Sequence, residues 1–207
     1  MKGCNSMIAI IDYDAGNLKS VEKALTYLGE AATITRNREK ILAADKVILP
    51  GVGAFGDAME KLHSYGLVKL IKEVANQKKP LLGICLGLQL LYKSSDESKG
   101  VDGLGILNGR IRRIPDCDGL KIPHMGWNSL EIEPGAKLYK GIANQSYVYF
   151  VHSYYLEADN RDEVAATTNY STLIHASVEK DNIFACQFHP EKSGEVGLKI
   201  LKNFADL

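Results

Sequence analysis

Residues 81–92 read LLGICLGLQLLY, an apolar run that changes from a strand pattern to a helix pattern at Cys85. The first five of these residues are enough for a buried strand. Gly83 and Gly87 lie two residues on either side of the cysteine and leave room for a tight strand-to-helix turn, a nucleophile elbow. The helix that follows directs its N-terminal N–H groups at the sulfur and favours a reactive thiolate. We therefore predict a nucleophilic Cys85 at the carboxyl edge of an α/β sheet; the alternative is a cysteine that only packs in a core strand.

The chain before this stretch alternates strand and helix patterns. Short apolar runs predict buried strands at residues 8–13, 32–35 and 47–49. Apolar residues at helical spacing predict helices at residues 18–28, 55–63 and 67–77. Asn17 precedes the first of these helices and is expected to cap it. Strands without polar alternation, separated by helices, predict a parallel sheet covered on both faces, with ligands beyond its carboxyl ends.

The second half of the chain has a different pattern. Extended runs rich in β-branched and aromatic residues lie at 109–114, 127–132, 147–155, 163–168, 175–179 and 183–188. A closing helix is predicted at residues 194–204. Because nothing between the halves resembles a linker, we expect one domain over 1–207, with residues 1–6 as a loose extension. The fold class is α/β, with a mostly parallel central sheet, helices on both faces and a smaller antiparallel β layer.

Composition narrows the class of protein. Of the 207 residues, 45% are hydrophobic and 24% charged, which is ordinary for a globular domain. Twenty-five basic residues balance twenty-five acidic ones, so no net field attracts nucleic acid or a membrane surface. The apolar runs are too short for a membrane span and the first residues lack the apolar core of a signal peptide, so we expect a cytoplasmic protein. Four cysteines without a C-x-x-C pair predict free thiols and no metal site.

A base for the cysteine is found near the end of the chain. Strand alternation over residues 183–188 places Gln187 and His189 on one face and Cys186 on the other, which argues against a Cys186–His189 metal pair. Pro190 ends the strand, so Glu191 can turn back to the imidazole. For His189 alone, the alternative is a surface histidine or one whose hydrogen bonds are satisfied within the fold. Together with Cys85, the pattern predicts a triad of Cys85, His189 and Glu191.

The motifs GICLGLQ and QFHPEKS resemble those of class I glutamine amidotransferases, and the resemblance covers nearly the whole chain. IIDYDAGN, LPGVGAFGDAM, HMGWN, FVHSYY and HPEKSGEVG more narrowly resemble glutaminase subunits of imidazole glycerol phosphate synthases. The resemblance implies a flavodoxin-like fold and hydrolysis of L-glutamine to glutamate and ammonia without a cofactor. It also implies a (β/α)8-barrel cyclase partner in histidine biosynthesis, which receives the ammonia and stimulates the glutaminase.

The resemblance also implies roles for individual residues. The oxyanion hole would be formed by Val52, Gly53 and Leu86. Glutamine would be bound by Gly53, Gln89, Glu97, Ser153 and Tyr154. The partner interface would include Asn17, Trp127, Asn128, Tyr149 and Lys192. Without the resemblance, Gln89 and Glu97 would be ordinary helix-surface residues and Tyr154 a strand aromatic packed in the core. For Trp127, a core role fits the sequence nearly as well as an interface anchor.

The glycine run at residues 51–56 permits another interpretation. Gly51, Gly53 and Gly56 satisfy G-x-G-x-x-G between a strand and a helix, and Glu73 follows Gly53 by twenty residues, as in dinucleotide-binding proteins. That fingerprint normally occupies the first βα turn of the fold, which here is residues 12–17. We therefore favour the oxyanion strand that the resemblance implies over a dinucleotide site.

Three further alternatives stay open. A cysteine protease or esterase would use the same triad, and a subunit that only binds would need an inert thiol. A paralogous glutaminase supplying ammonia to a barrel partner in a surface-sugar pathway would carry the same class motifs.

Overall fold

The computed structural model describes residues 6–207. Its strands are β1 Met7–Ile11, β2 Ala31–Thr35, β3 Lys46–Gly51, β4 Leu81–Cys85, β5 Gly109–Arg113, β6 His124–Ser129, β7 Glu131–Ile132, β8 Tyr147–His152, β9 Tyr154–Ala158, β10 Val164–Tyr170, β11 Thr172–Lys180 and β12 Ile183–Cys186. Its helices are α1 Leu18–Tyr27, α2 Arg38–Ala43, α3 Phe55–Ser64, α4 Leu67–Asn76, α5 Leu86–Leu90 and α6 Gly194–Ala205. Single 3-10 turns occupy Lys137–Tyr139, Arg161–Glu163 and Pro190–Lys192.

The central sheet has eight strands in the order β2-β1-β3-β4-β12-β11-β10-β7. The five strands from β2 to β12 are parallel, and β11, β10 and β7 continue the sheet in antiparallel fashion. Gly51 lies opposite Cys85, and Cys186 lies opposite Ile84. The carboxyl ends of β3, β4 and β12 therefore meet at one edge. The apolar runs predict this for β3 and β4, but the parallel position of β12 was not predicted.

Both faces of this sheet are covered. Alternate residues of β1 face opposite ways: Ala9 and Ile11 pack with α3 and α4, whereas Ile8 and Ile10 pack with α1 and α6. Two antiparallel pairs, β5 with β9 and β6 with β8, form the smaller layer. The predicted fold class is confirmed.

Several element boundaries differ from the predictions. The predicted run 147–155 is divided at Ser153 into β8 and β9, and the run 127–132 is divided into β6 and β7. Helix α2 was not predicted. The cap predicted at Asn17 is wrong: the residue has a left-handed backbone (φ 72°), and its side chain makes no cap hydrogen bond to α1. Most of the predicted extension, residues 1–5, lies outside the described residues.

Within residues 6–207, no helix is both long and apolar enough to cross a bilayer. In the same part of the chain, no group of three or more His, Cys, Asp or Glu residues is arranged to hold a metal ion. Cys85, Cys117 and Cys186 are free thiols.

Candidate active site

Cys85 lies at the sharp turn between β4 and α5, with φ 55° and ψ −109°. A side chain at positive φ is strained, and such strain is typical of functional turns. The two flanking glycines make the turn feasible. A Cβ at Gly87 would lie 1.8 Å from the Leu49 carbonyl oxygen, and one at Gly83 would lie 2.8 Å from the Gly87 carbonyl oxygen. The elbow predicted from residues 83–87 is therefore present in the fold.

His189 follows β12 and faces the same cavity as Cys85. Its backbone N–H donates to the Tyr149 carbonyl at 3.0 Å, and its own carbonyl accepts from the Ser193 hydroxyl at 2.6 Å. Its Nδ1 lies 2.8 Å from Glu191 Oε1. Because a carboxylate accepts, Nδ1 carries the proton and Nε2 is the nitrogen left for the cavity.

The charge of His189 is set by opposing effects. Burial of the ring disfavours the imidazolium, but the neighbouring Cys85 and the Glu191 carboxylate bonded to Nδ1 outweigh burial and raise the pKa of His189 above its ordinary value. His189 Nε2 has no hydrogen-bond partner within the described residues. The Asn17 side-chain amide donates to the same Glu191 oxygen as the imidazole. This geometry provides an imidazole that can take the proton of a thiol.

The cavity that contains Cys85 and His189 has a volume of about 280 Å³. Its lining includes Val52, Gly53, Leu86, Gln89, Glu97, Ser153 and Tyr154, which are the residues predicted for the oxyanion hole and for glutamine. Pro123, Val151 and His152 also line it and were not predicted. His152 stands inside the motif FVHSYY, so its position beside Ser153 was the available signal. The volume is at the small end of ligand sites and suits a free amino acid better than a peptide.

The end of β3 forms one wall beside the sulfur. The buried Tyr13 hydroxyl donates to the Pro50 carbonyl at 2.8 Å. A Cβ at Gly51 would lie 2.3 Å from that hydroxyl oxygen, so only glycine fits there. Gly53 has φ 100°, which also favours glycine. These glycines let the backbone of Val52 and Gly53 pass close to the cavity.

The same glycine segment is poorly arranged for a dinucleotide. Glu97 Oε2 accepts from the Phe55 N–H at 2.7 Å, and the Ser98 hydroxyl accepts from the Gly56 N–H at 3.0 Å. The first N–H groups of α3 are therefore occupied, one of them by a carboxylate that would repel a pyrophosphate. The hydrogen bonds of these N–H groups therefore argue against the dinucleotide interpretation of the G-x-G-x-x-G run.

Two histidines beside the cavity were not predicted as a pair. His124 Nδ1 lies 3.0 Å from His152 Nε2, and His152 Nδ1 donates to the Tyr154 carbonyl at 2.8 Å. Burial lowers the pKa of His124 to about 4. Burial, with the neighbouring His124 and His189, lowers the pKa of His152 to about 3 despite its bond to Tyr154. Both rings are therefore neutral at pH 7.

This pair predicts a loss of stability in mild acid. The pKa values of both histidines in the folded chain lie below the unfolded value of 6.5. Their contribution to the free energy of unfolding is therefore fully present above pH 6.5. It is lost as the pH falls towards the folded pKa values of about 4 for His124 and about 3 for His152. The unfolded chain binds protons that the folded chain excludes, which costs about 1.4 kcal/mol per pH unit for each histidine. Urea unfolding between pH 7 and pH 5 measures the slope. We expect a flatter slope in the double variant His124→Gln/His152→Gln, and equal slopes would contradict the assignment.

Two of the predicted interface residues, Trp127 and Tyr149, lie on one sheet face, which we call the β6–β8 face and define by its exposed side chains Met125, Trp127 and Tyr147. Trp127 is 56% exposed and its ring packs edge-on against Tyr149 at 6.1 Å between centroids. The alternative of a core role for Trp127 is therefore wrong. Lys192 is exposed, and the Asn128 amide donates to the Asn169 carbonyl at 3.0 Å. Asn17 instead contacts Glu191.

Comparison with known proteins identifies the family. The family model described as glutamine amidotransferase class-I matches residues 9–207. The chain belongs to the class-I glutamine amidotransferases. This confirms the family resemblance and the expectation of an enzyme rather than a binding module.

Individual amidotransferases agree with this assignment. The chain is similar to imidazole glycerol phosphate synthase subunit HisH of Listeria innocua, with 50% identity over 97% of this chain and 96% of that protein. It is 49% identical to subunit HisH of Methanocaldococcus jannaschii, over 97% of this chain and all of that protein. The structure of PurLQS from Thermotoga maritima has a TM-score of 0.75 at 19% identity, covering 98% of this chain and 99% of that one, which shows a shared fold. The narrower resemblance to synthase subunits is thus confirmed.

Proposed function

We propose that this chain is the glutaminase subunit of an imidazole glycerol phosphate synthase and that Cys85, His189 and Glu191 are its catalytic residues. The observation that carries the proposal is that Cys85 and His189, more than a hundred positions apart in the sequence, line the same cavity. The names of the relatives at about 50% identity support the histidine pathway over a surface-sugar pathway.

The reaction begins with transfer of the Cys85 thiol proton to Nε2 of His189, after which the sulfur attacks the side-chain amide carbon of glutamine. His189 then protonates the leaving nitrogen, ammonia departs and a γ-glutamyl thioester remains. A water deprotonated by the same imidazole hydrolyses the thioester to glutamate and regenerates the thiol. Glu191 holds the tautomer of His189 and stabilises its charged form, and Asn17 holds Glu191.

The negative oxygen of each tetrahedral intermediate needs donors that are already in place. The Leu86 N–H begins α5 directly after the nucleophile, and Val52 and Gly53 line the same cavity. We assign the oxyanion hole to these groups, each donor contributing about 3–4 kcal/mol in comparable hydrolases. Glu97 and Gln89 supply oxygen atoms for the ammonium and amide groups of the substrate.

Ammonia released in open water is protonated and lost, so the site needs an attached acceptor. We assign that role to a (β/α)8-barrel cyclase bound at the β6–β8 face. Three large apolar side chains are exposed together on this face, Met125, Trp127 and Tyr147. This face is close to the catalytic residues, because the carbonyl of Tyr149 in β8 accepts a hydrogen bond from the backbone N–H of His189.

Replacement of Trp127 by alanine tests this interface. An aromatic anchor at the centre of an interface contributes about 2 kcal/mol or more, so we expect the dissociation constant for the cyclase to rise about 30-fold. Titration calorimetry with the purified cyclase measures it. Tyr27→Ala is the matched control, since Tyr27 is 79% exposed at the far end of α1. If the two variants lose affinity for the cyclase equally, or if neither loses affinity, the β6–β8 face is not part of the interface.

The function itself is tested by reconstitution. The isolated chain should release glutamate slowly, and addition of the cyclase with its ribulosyl intermediate should stimulate release and yield imidazole glycerol phosphate only when glutamine is present. Full glutaminase activity without the cyclase, or no coupled product, would contradict the proposal.

A further inference from the structure

Gln187 is a buried amide that the proposed mechanism does not use. It follows the last residue of β12 and its exposed fraction is 0%. Transfer of a primary amide from water to a protein interior is unfavourable unless its polar atoms are hydrogen bonded. The partners of Gln187 therefore indicate why a polar residue occupies this position.

Both ends of this amide face groups of the active site. The nitrogen, Nε2, donates to the Cys85 sulfur at 3.7 Å. The oxygen, Oε1, accepts from Nε2 of Gln89 at 3.1 Å. A rotation that exchanged the two ends would set two N–H groups against each other on the Gln89 side, so the second contact holds the donor on the sulfur.

The orientation of Gln89 is determined in turn by a backbone group. Its Nε2 also donates to the Tyr154 carbonyl at 3.1 Å. A carbonyl oxygen only accepts, so the atom of Gln89 that faces Tyr154 is the nitrogen. His152 Nδ1 donates to the same carbonyl at 2.8 Å and fixes its position. The Tyr154 carbonyl thus fixes the orientation of the Gln89 amide, and Gln89 in turn fixes the orientation of the Gln187 amide, whose N–H donates to the sulfur.

We propose that Gln187 is a further catalytic residue, whose amide N–H stabilises the Cys85 thiolate, and that Gln89 is the positioning residue that keeps the N–H on the sulfur. This inference rests on the proposed function. When the thiol proton moves to Nε2 of His189, the S–H bond breaks, an N–H bond forms and the negative charge on sulfur gains a donor. A charge-assisted bond of this kind is stronger than a neutral one. Gln187 thereby raises the fraction of chains that hold the thiolate.

Alkylation of the thiol by iodoacetamide tests the role without glutamine or partner. The rate is followed at pH 7 by mass spectrometry on the peptide that carries Cys85, which separates it from the exposed Cys117. Loss of a hydrogen bond to a charged group lowers the thiolate fraction about tenfold or more, so we expect Gln187→Leu to react about tenfold more slowly. With the cyclase complex and glutamine, kcat should fall by a similar factor while KM changes less than about threefold.

Two further variants separate this role from a loss of packing. Gln187→Glu keeps the shape but replaces the donor by an oxygen, and it should react at least as slowly as Gln187→Leu. The matched control is Asn203→Leu, which removes a buried amide that bonds the Leu138 and Lys140 carbonyls outside the cavity. It should react at the wild-type rate after correction for any unfolded fraction.

If both Gln187 variants are alkylated at the wild-type rate and keep the wild-type kcat, Gln187 does not stabilise the Cys85 thiolate and the proposal is overturned. If Cys85→Ala is inactive in the same assays, that result leaves the proposed function standing. Retained glutaminase activity in Cys85→Ala would instead overturn the proposed function, whatever the alkylation rates are.

Discussion

Replacement of Cys85 by alanine is expected to lower the rate of glutamine hydrolysis at least about 10⁴-fold, because no other group on the cavity wall can form the thioester. The oxyanion donors and the glutamine contacts remain, so glutamine and the cyclase should still bind. Glutamate release in the presence of the cyclase measures the rate. The alanine variant should unfold at a temperature close to that of the wild type, since the sulfur alone is removed.

Cys85→Gly is the companion variant. Because Cys85 has φ 55°, glycine should relieve backbone strain, and we expect the glycine variant to be about 1 kcal/mol more stable than the alanine variant. Both should be equally inactive. Activity in either variant would contradict the assignment of the nucleophile, and a more stable alanine variant would contradict the strained elbow.

Replacement of Gly87 by alanine is expected to have the largest effect on stability, a loss of about 3 kcal/mol. The added Cβ would lie 1.8 Å from the Leu49 carbonyl oxygen, which belongs to the backbone of the neighbouring strand β3. Backbone atoms cannot rotate away, so α5 must shift from the sheet and take Cys85 and Leu86 with it. Urea unfolding and glutaminase activity should therefore both be affected.

Gly194→Ala is the control for Gly87→Ala. Gly194 has φ 59° and open space around its Cα, so alanine there meets backbone strain alone, about 1 kcal/mol. If Gly87→Ala and Gly194→Ala lose equal stability, the close approach of β3 and α5 is not the reason that position 87 requires glycine.

Local patterns were sufficient for the fold and the centre of the site. The apolar runs of β1, β3 and β4 are buried on both faces, and such runs occur in parallel sheets. The elbow at Cys85 follows from two glycines within five residues. Its pairing with His189 follows from the need of a nucleophilic cysteine for a base, whereas the position of β12 beside β4 in the parallel part of the sheet was not predicted.

Contacts between distant residues could not be read from these patterns. Asn17 stands before a helix and has the chemistry of a cap, yet its amide donates to Glu191, 174 residues away. At α3, likewise, the first N–H donates to Glu97, which lies 42 residues further along the chain. Gln187 shows the same limit, because strand alternation gave its face but not its partners. A buried polar side chain is recognisable only once its neighbours are known.

The central claim is that Cys85 is the nucleophile of a glutamine site, and labelling with a chloromethyl ketone analogue of glutamine tests it most directly. The reagent should modify the Cys85 peptide at one equivalent per chain, excess glutamine should protect it, and His189→Asn should label far more slowly. Labelling of Cys117 instead, or labelling of Cys85 that glutamine does not slow, would contradict the account.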